Sequence, residues 1–201
     1  MKNNLFLIIL LLTFMGINGC YFQSNEADNN TINTKFVSSE SPEHNHDFSG
    51  EDSHEYYSTT LTVKGDVRFP LTLTVDSLKK MRTIGLDSFN IVCQSGAVTD
   101  KTVKSRGVLL KDILEKASIA QTSHKDRNFY IVAKGNDGYM ATFSWAELFN
   151  NPTGENTYVT YEEDGLPIKE KGAMILNCTN DIKTGPRHVV WLSSIEVNRV
   201  K

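Results

Sequence analysis

Cys93 is the residue in this chain whose type and setting most directly suggest chemistry. It closes the run Asn90-Ile91-Val92-Cys93, and the polar turn Gln94-Ser95-Gly96 follows, so the pattern places one thiol at the carboxyl end of a short strand. Such strand ends are where sheet domains commonly meet a ligand or substrate. The plainer alternative is a small buried hydrophobe or half of a disulfide. A second group of metal-ligating types, His44-Asn45-His46-Asp47 and His54-Glu55, falls in an acidic stretch with few large apolar residues. Metals bind such tracts loosely, but nothing there provides the second shell that fixes ligand geometry, so no metal role is read from it.

The amino terminus says where Cys93 is expected to work. Met1-Lys2 precedes the apolar run Leu5 to Leu12, which is too short for a membrane span of about 20 residues, and Ile17-Asn18-Gly19-Cys20 follows. This reads as an export signal over residues 1–19. Gly19-Cys20 resembles a bacterial lipoprotein cleavage box, which implies a lipid on Cys20 and a protein held at a membrane, facing the periplasm or the cell exterior. Two or more fatty chains give stable anchoring. The alternative is an ordinary signal peptide or an anchor helix.

Residues 20–57 then read as an acidic flexible tether, with eight acidic residues against Lys35 and too little apolar surface to order a core. Of the 21 basic residues in the 201, Lys2 and Lys35 precede Ser58, leaving 19; of the 24 acidic residues eight precede it, leaving 16. One mildly basic domain over 58–201 is therefore expected. That balance is no nucleic-acid signature, but it suits an anionic ligand.

The elements that must position Cys93 read as an α+β domain, a mixed sheet with a few short helices. Strands are predicted over Thr60–Val67, Pro70–Thr74, Asn128–Ala133, Tyr139–Phe143, Tyr158–Glu162 and Ala173–Cys178, with closing segments Val189–Leu192 and Ile195–Val197. The turn Lys134–Gly138 makes the third and fourth of these a hairpin. Thr74 or Asp76 caps a short helix over Ser77–Met81, and Ser144 caps another over Trp145–Phe149. In Val108–Ala117 the residues Leu109, Leu110, Ile113, Leu114 and Ala117 share one helical face.

The order of several signatures resembles the molybdopterin-binding domain of the sulfite oxidase-like oxidoreductases. They are Val63-Lys64-Gly65-Asp66-Val67 with Pro70, the Cys93 turn with Gly96, Arg106 to Leu114, Asn136-Asp137-Gly138-Tyr139, Glu163 to Ile168, and Gly185-Pro186-Arg187-His188-Val189-Val190-Trp191-Leu192. The resemblance implies that fold and a molybdopterin cofactor. It makes Cys93 a molybdenum ligand and catalytic thiolate beside the two pterin sulfurs, soft donors for a soft metal. It puts Arg187 and His188 on the cofactor's phosphate or pterin, an arginine fork being matched to phosphate, and Tyr139 in the metal pocket as a hydrogen-bond donor. An electron-transfer protein would be the natural partner.

The pattern is also departed from. Gln94-Ser95-Gly96 stands where an Asn and basic residues are usual, Ala173-Met174-Ile175-Leu176 where an arginine is expected, and Val190 where a lysine is expected. The immunoglobulin-like domain of the larger enzymes has no room before Lys201. Two readings therefore stand. One is an exported, lipid-anchored molybdopterin oxidoreductase, and the other is a non-catalytic pterin, small-anion or protein-binding module on the same fold. In the second, Cys93 is free or joined to Cys178, since export leaves these two as an even pair in an oxidising compartment.

Overall fold

A computed structural model of the protein describes residues 55–201; the expected signal and the tether up to residue 54 lie outside the described residues. The strands in chain order are β1 (Thr60–Gly65), β2 (Leu71–Thr74), β3 (Thr83–Leu86), β4 (Asn90–Val92), β5 (Val98–Lys101), β6 (Ser105–Leu109), β7 (Phe129–Gly135), β8 (Met140–Ser144), β9 (Thr157–Glu163), β10 (Leu166–Pro167), β11 (Ile175–Cys178) and β12 (Leu192–Arg199). The helices are α1 (Val75–Lys79), α2 (Leu110–Ala117) and α3 (Trp145–Phe149).

One sheet runs β2-β1-β12-β7-β8, antiparallel except where β1 lies parallel to β12. The second runs β10-β9-β6-β3, and β11 also pairs with β9. The hairpin β4-β5 stands apart as its own two-stranded sheet. This is the α+β architecture of mixed sheet and short helices that the strand pattern implied, and its pairing is mainly antiparallel.

Helices this short are marginal alone, so tertiary packing holds them. α2 buries Leu110, Ile113, Leu114 and Ala117. They join one core with Leu61, Val63, Ile131, Ile195 and Val197 of the first sheet and Val108, Val159, Tyr161 and Leu176 of the second. Apolar side chains from both sheets thus share a single core around one helix, which is the main source of stabilisation here. α3 carries a full capping box, Ser144 accepting from the Glu147 amide while the Glu147 carboxylate accepts from the Ser144 amide.

Several boundaries differ from the sequence reading. Val108 and Leu109 extend β6 instead of opening α2, because they pair with Val159 and Tyr158 in the ladder. α1 starts at Val75, since Thr74 rather than Asp76 caps it and accepts from the Ser77 amide. Strands β3 and β5 were not expected. Tyr56, assigned to the tether, packs its ring 5.5 Å from that of Trp191, and its carbonyl accepts from Asn136 Nδ2 at 2.9 Å. The folded body therefore reaches back at least that far.

Gly65 shows how tightly β1 and β12 are joined. It sits at φ +91°, and a Cβ there would lie 2.1 Å from the Val197 carbonyl oxygen. Gly65→Ala is expected to destabilise the domain by at least about 2 kcal/mol. Chemical denaturation checks this, and an unmoved midpoint would mean that the strands do not approach as described.

Candidate functional site

The site is built from the Cys93 turn and the segment Asp181–His188 that lies against it. β4 ends at Val92, and Cys93 begins a turn in which its amide donates to Ala97 O at 2.8 Å and the Gly96 amide donates to Cys93 O at 2.9 Å. Gly96 adopts φ +96°, which favours glycine at this position. The Cys93 thiol is half-buried, unbonded to any other cysteine, and donates to Thr99 Oγ1 at 3.6 Å.

Each residue from Thr184 to His188 has a job against this turn or beneath it. Thr184 Oγ1 donates to Asn90 O at 2.7 Å and accepts from the Val92 amide at 2.9 Å. Gly185 approaches so closely that a Cβ would lie 2.9 Å from Val92 O and 3.4 Å from Cys93 Cα. Pro186 O accepts from Tyr139 Oη at 2.9 Å. Burial raises the Tyr139 phenol pKa, and the charges of Asp137 and then Cys93 push the same way. Tyr139 is thus brought into the same neighbourhood as Cys93.

Arg187 faces inward to carboxylates. Its Nε donates to Asp181 Oδ2 at 2.6 Å, its Nη2 to Asp181 Oδ1, and its Nη1 to Glu147 Oε1 at 3.0 Å. The guanidinium also lies 4.6 Å from the centre of the Phe143 ring. The Asp181 hydrogen bond is the chief cause holding its pKa above the ordinary arginine value, against burial. Burial alone would raise the Glu147 pKa, but its hydrogen bonds from Ser144 and Arg187 more than offset this and hold it low.

His188 Nδ1 lies 2.6 Å from Asn177 Oδ1, an acceptor, so Nδ1 carries the proton. Asn177 is itself fixed, Nδ2 donating to Thr160 Oγ1 at 3.0 Å. Burial, then the positive charge of Lys171, pushes the imidazole pKa down to about 4, with Asp100 opposing. Lys171 is paired with Asp100 of β5 at 3.0 Å.

Cys178 is buried in β11, accepting from Thr157 Oγ1 at 3.5 Å and donating to Asn180 Oδ1 at 3.3 Å, and burial raises its thiol pKa. The disulfide with Cys93 weighed from sequence is not formed: both thiols are free, and Cys178 is engaged by its own neighbours. Thr184, Asp181, Glu147 and the Asp100–Lys171 pair were not singled out in the sequence. The capping pattern at Ser144 pointed to Glu147 only as a helix residue, and the others carry no local signal.

A family model described as oxidoreductase molybdopterin binding domain matches residues 50–201. A search of the curated proteins finds no match. Among solved structures, the chain is similar to the sulfane dehydrogenase SoxCD of Paracoccus pantotrophus, at 14% identity and a TM-score of 0.53. The likeness covers 69% of this chain but 38% of that one, so it supports the fold alone.

Membership of such a family implies molybdopterin, and the residues present fit it only at one end. Cys93 offers a soft donor where the metal would sit. The phosphate end does not fit: the Arg187 fork that would receive it is already compensated by Asp181 and Glu147. Where basic side chains were expected, Met174, Ile175 and Val190 are buried among apolar neighbours. An open cleft of about 880 Å³ lies between Gly85–Asp87, Lys104–Arg106 and the trio Glu162, Asp164 and Gly165, and one of about 320 Å³ along Glu163 and Leu166–Lys171. Neither is lined by Cys93, Tyr139, Arg187 or His188.

The His188 environment sets a pH dependence. Between an unfolded value of 6.5 and about 4 the unfolded chain binds a proton that the folded chain refuses, so stability falls as pH drops through that window. The loss should be on the order of 2–3 kcal/mol. The low-held carboxylates Asp100 and Glu147 add their loss only further down, where unfolded carboxylates protonate. Urea titrations from pH 7 to 5 should show a shallower slope for His188→Gln than for the wild type, and equal slopes would contradict a neutral, part-buried imidazole.

Proposed function

The chain belongs to the oxidoreductase molybdopterin-binding domain family, and from that premise we propose that it is an exported, lipid-anchored, non-catalytic binding module of the family, with Cys93 as a free thiol at the surface where its ligand or partner meets it. The observation that carries this reading is the double carboxylate compensation of Arg187. A phosphate approaching that guanidinium must displace Asp181 or Glu147, or bring a dianion up to two anions already in place. The apolar burial of Met174 and Val190 supports the same conclusion, because it makes those two positions part of the packing instead of a cofactor-facing surface.

One observation favours the catalytic alternative, which is the half-buried, unbonded Cys93 thiol at the end of β4 with Tyr139 close by. When molybdopterin is bound in this family, the metal would supply oxygen-atom or two-electron transfer, with a Cys93 thiolate as its protein ligand. The residues of this chain that would then act are Cys93, as a soft donor, and Tyr139, whose hydroxyl is already spent on Pro186 O.

Export and lipidation are supported by Met1-Lys2, the apolar run to Leu12 and the Gly19-Cys20 pair. The stretch read over residues 20–57, rich in acidic and small polar side chains, supports a tether between lipid and domain that ends before Tyr56, which packs on Trp191.

Full-length protein from a host that builds and exports molybdenum cofactor is expected to carry molybdenum and releasable pterin well below one per chain. Elemental mass spectrometry and pterin fluorescence measure both. Near-stoichiometric molybdenum that Cys93→Ser removes would overturn the non-catalytic reading. Separately, Cys20→Ser should abolish fatty-acid labelling and release the protein from the membrane fraction, and retention with label would refute the lipid anchor.

A further inference from the structure

The β4-β5 hairpin that carries Cys93 belongs to neither main sheet, so β4 has an edge that β5 does not pair. Backbone groups of alternate residues point to the same side of a strand. Ile91 and Cys93 face β5, as the bonds from Thr99 Oγ1 to Ile91 O and from Cys93 N to Ala97 O show. Asn90 and Val92 therefore present their carbonyl and amide to the other edge, and it is there that Thr184 sits.

Thr184 is buried, and its one hydroxyl both donates to Asn90 O at 2.7 Å and accepts from Val92 N at 2.9 Å. That is the pair of bonds a neighbouring strand would make. The residue is itself held in place on both sides: Asp181 and Arg187 are bound together, Arg187 reaches Glu147 of α3, and Pro186 takes the Tyr139 hydroxyl. Gly185 permits the approach, since a Cβ there would press within 2.9 Å of Val92 O.

We infer that Thr184 is the positioning residue of Cys93: its hydroxyl completes the open edge of β4 and so fixes the turn that presents the thiol. Arg187 serves the same end at one remove, by anchoring the segment on which Thr184 lies. The inference rests on the reading of Cys93 as the group that faces a ligand, but not on which ligand that is. Without the hydroxyl, the Asn90 carbonyl and Val92 amide turn to water, and the hairpin opens more often.

The test is alkylation of the reduced full-length protein with iodoacetamide, followed residue by residue by peptide mass spectrometry. Thr184→Val keeps the shape and removes the hydroxyl; Thr184→Ser keeps the hydroxyl. Cys93 in Thr184→Val is expected to react about tenfold faster than in the wild type, a factor in line with losing one or two part-buried hydrogen bonds. Cys178 should keep its wild-type rate, and Thr184→Ser should restore that of Cys93. An unchanged or slower Cys93, a Cys178 that accelerates in step with it, or a Thr184→Ser as fast as the valine variant would each overturn the inference. A wild-type Cys93 that reacts only after molybdenum is stripped would count against the proposed function instead, and the Thr184 comparison would then be read on stripped protein.

Discussion

A guanidinium taken out of water must be compensated where it lies, and the Arg187 side chain, only 19% exposed, meets that demand from Asp181, Glu147 and the face of Phe143. Because these partners come from the loop after β11, from α3 and from β8, one charge ties three separate parts of the chain. The geometry is of the strong kind, two parallel bonds to one carboxylate and a third to another. Everything between Asp181 and Arg187 is therefore held as a short loop with fixed ends. Thr184 and Gly185 meet β4 because that loop has nowhere else to go.

The same compensation separates fold from chemistry. The family's architecture needs sheets, a shared core around α2 and a turn for the cysteine, and all of these are in place. Its cofactor chemistry additionally calls for cations facing the ligand, and here the one positive charge of Arg187 is already shared between two carboxylates. Apolar side chains at Met174 and Val190 make their positions part of the packing. A fold persists through such exchanges because burial sustains it, whereas a binding site depends on particular uncompensated charges.

Sequence patterns carried the parts of this structure that local physics determines. The Lys134–Gly138 turn, the Ser144 cap and the apolar face of Leu110, Ile113, Leu114 and Ala117 each follow from short-range rules, and each is where it was read. Val108 and Leu109 were ambiguous because an apolar run suits a buried strand as well as a helix. The polar strand β5 gave no alternation, and its pairing with β4 shows only in three dimensions. At the site, turn chemistry singled out Cys93 and the family resemblance singled out Tyr139, whose hydroxyl the structure places on Pro186 O. Thr184 was not legible, since a threonine in a loop acquires meaning only from an open strand edge more than ninety residues away.

The two thiols illustrate how far residue type underdetermines role. Cys178 lies in β11, paired along β9, with its sulfur between Thr157 and Asn180, and burial disfavours its thiolate. Reaching a partner would require leaving that ladder and unpairing Thr157 in the process. Cys93 sits outside both main sheets, on a hairpin closed by its own backbone bonds and tied to the rest of the fold by Thr184. Chemistry at Cys178 would therefore disturb a main-sheet ladder, whereas Cys93 lies outside both main sheets. A ligand that reads this protein through a sulfur has one practical point of entry, and the Arg187-anchored loop decides how far that point is open.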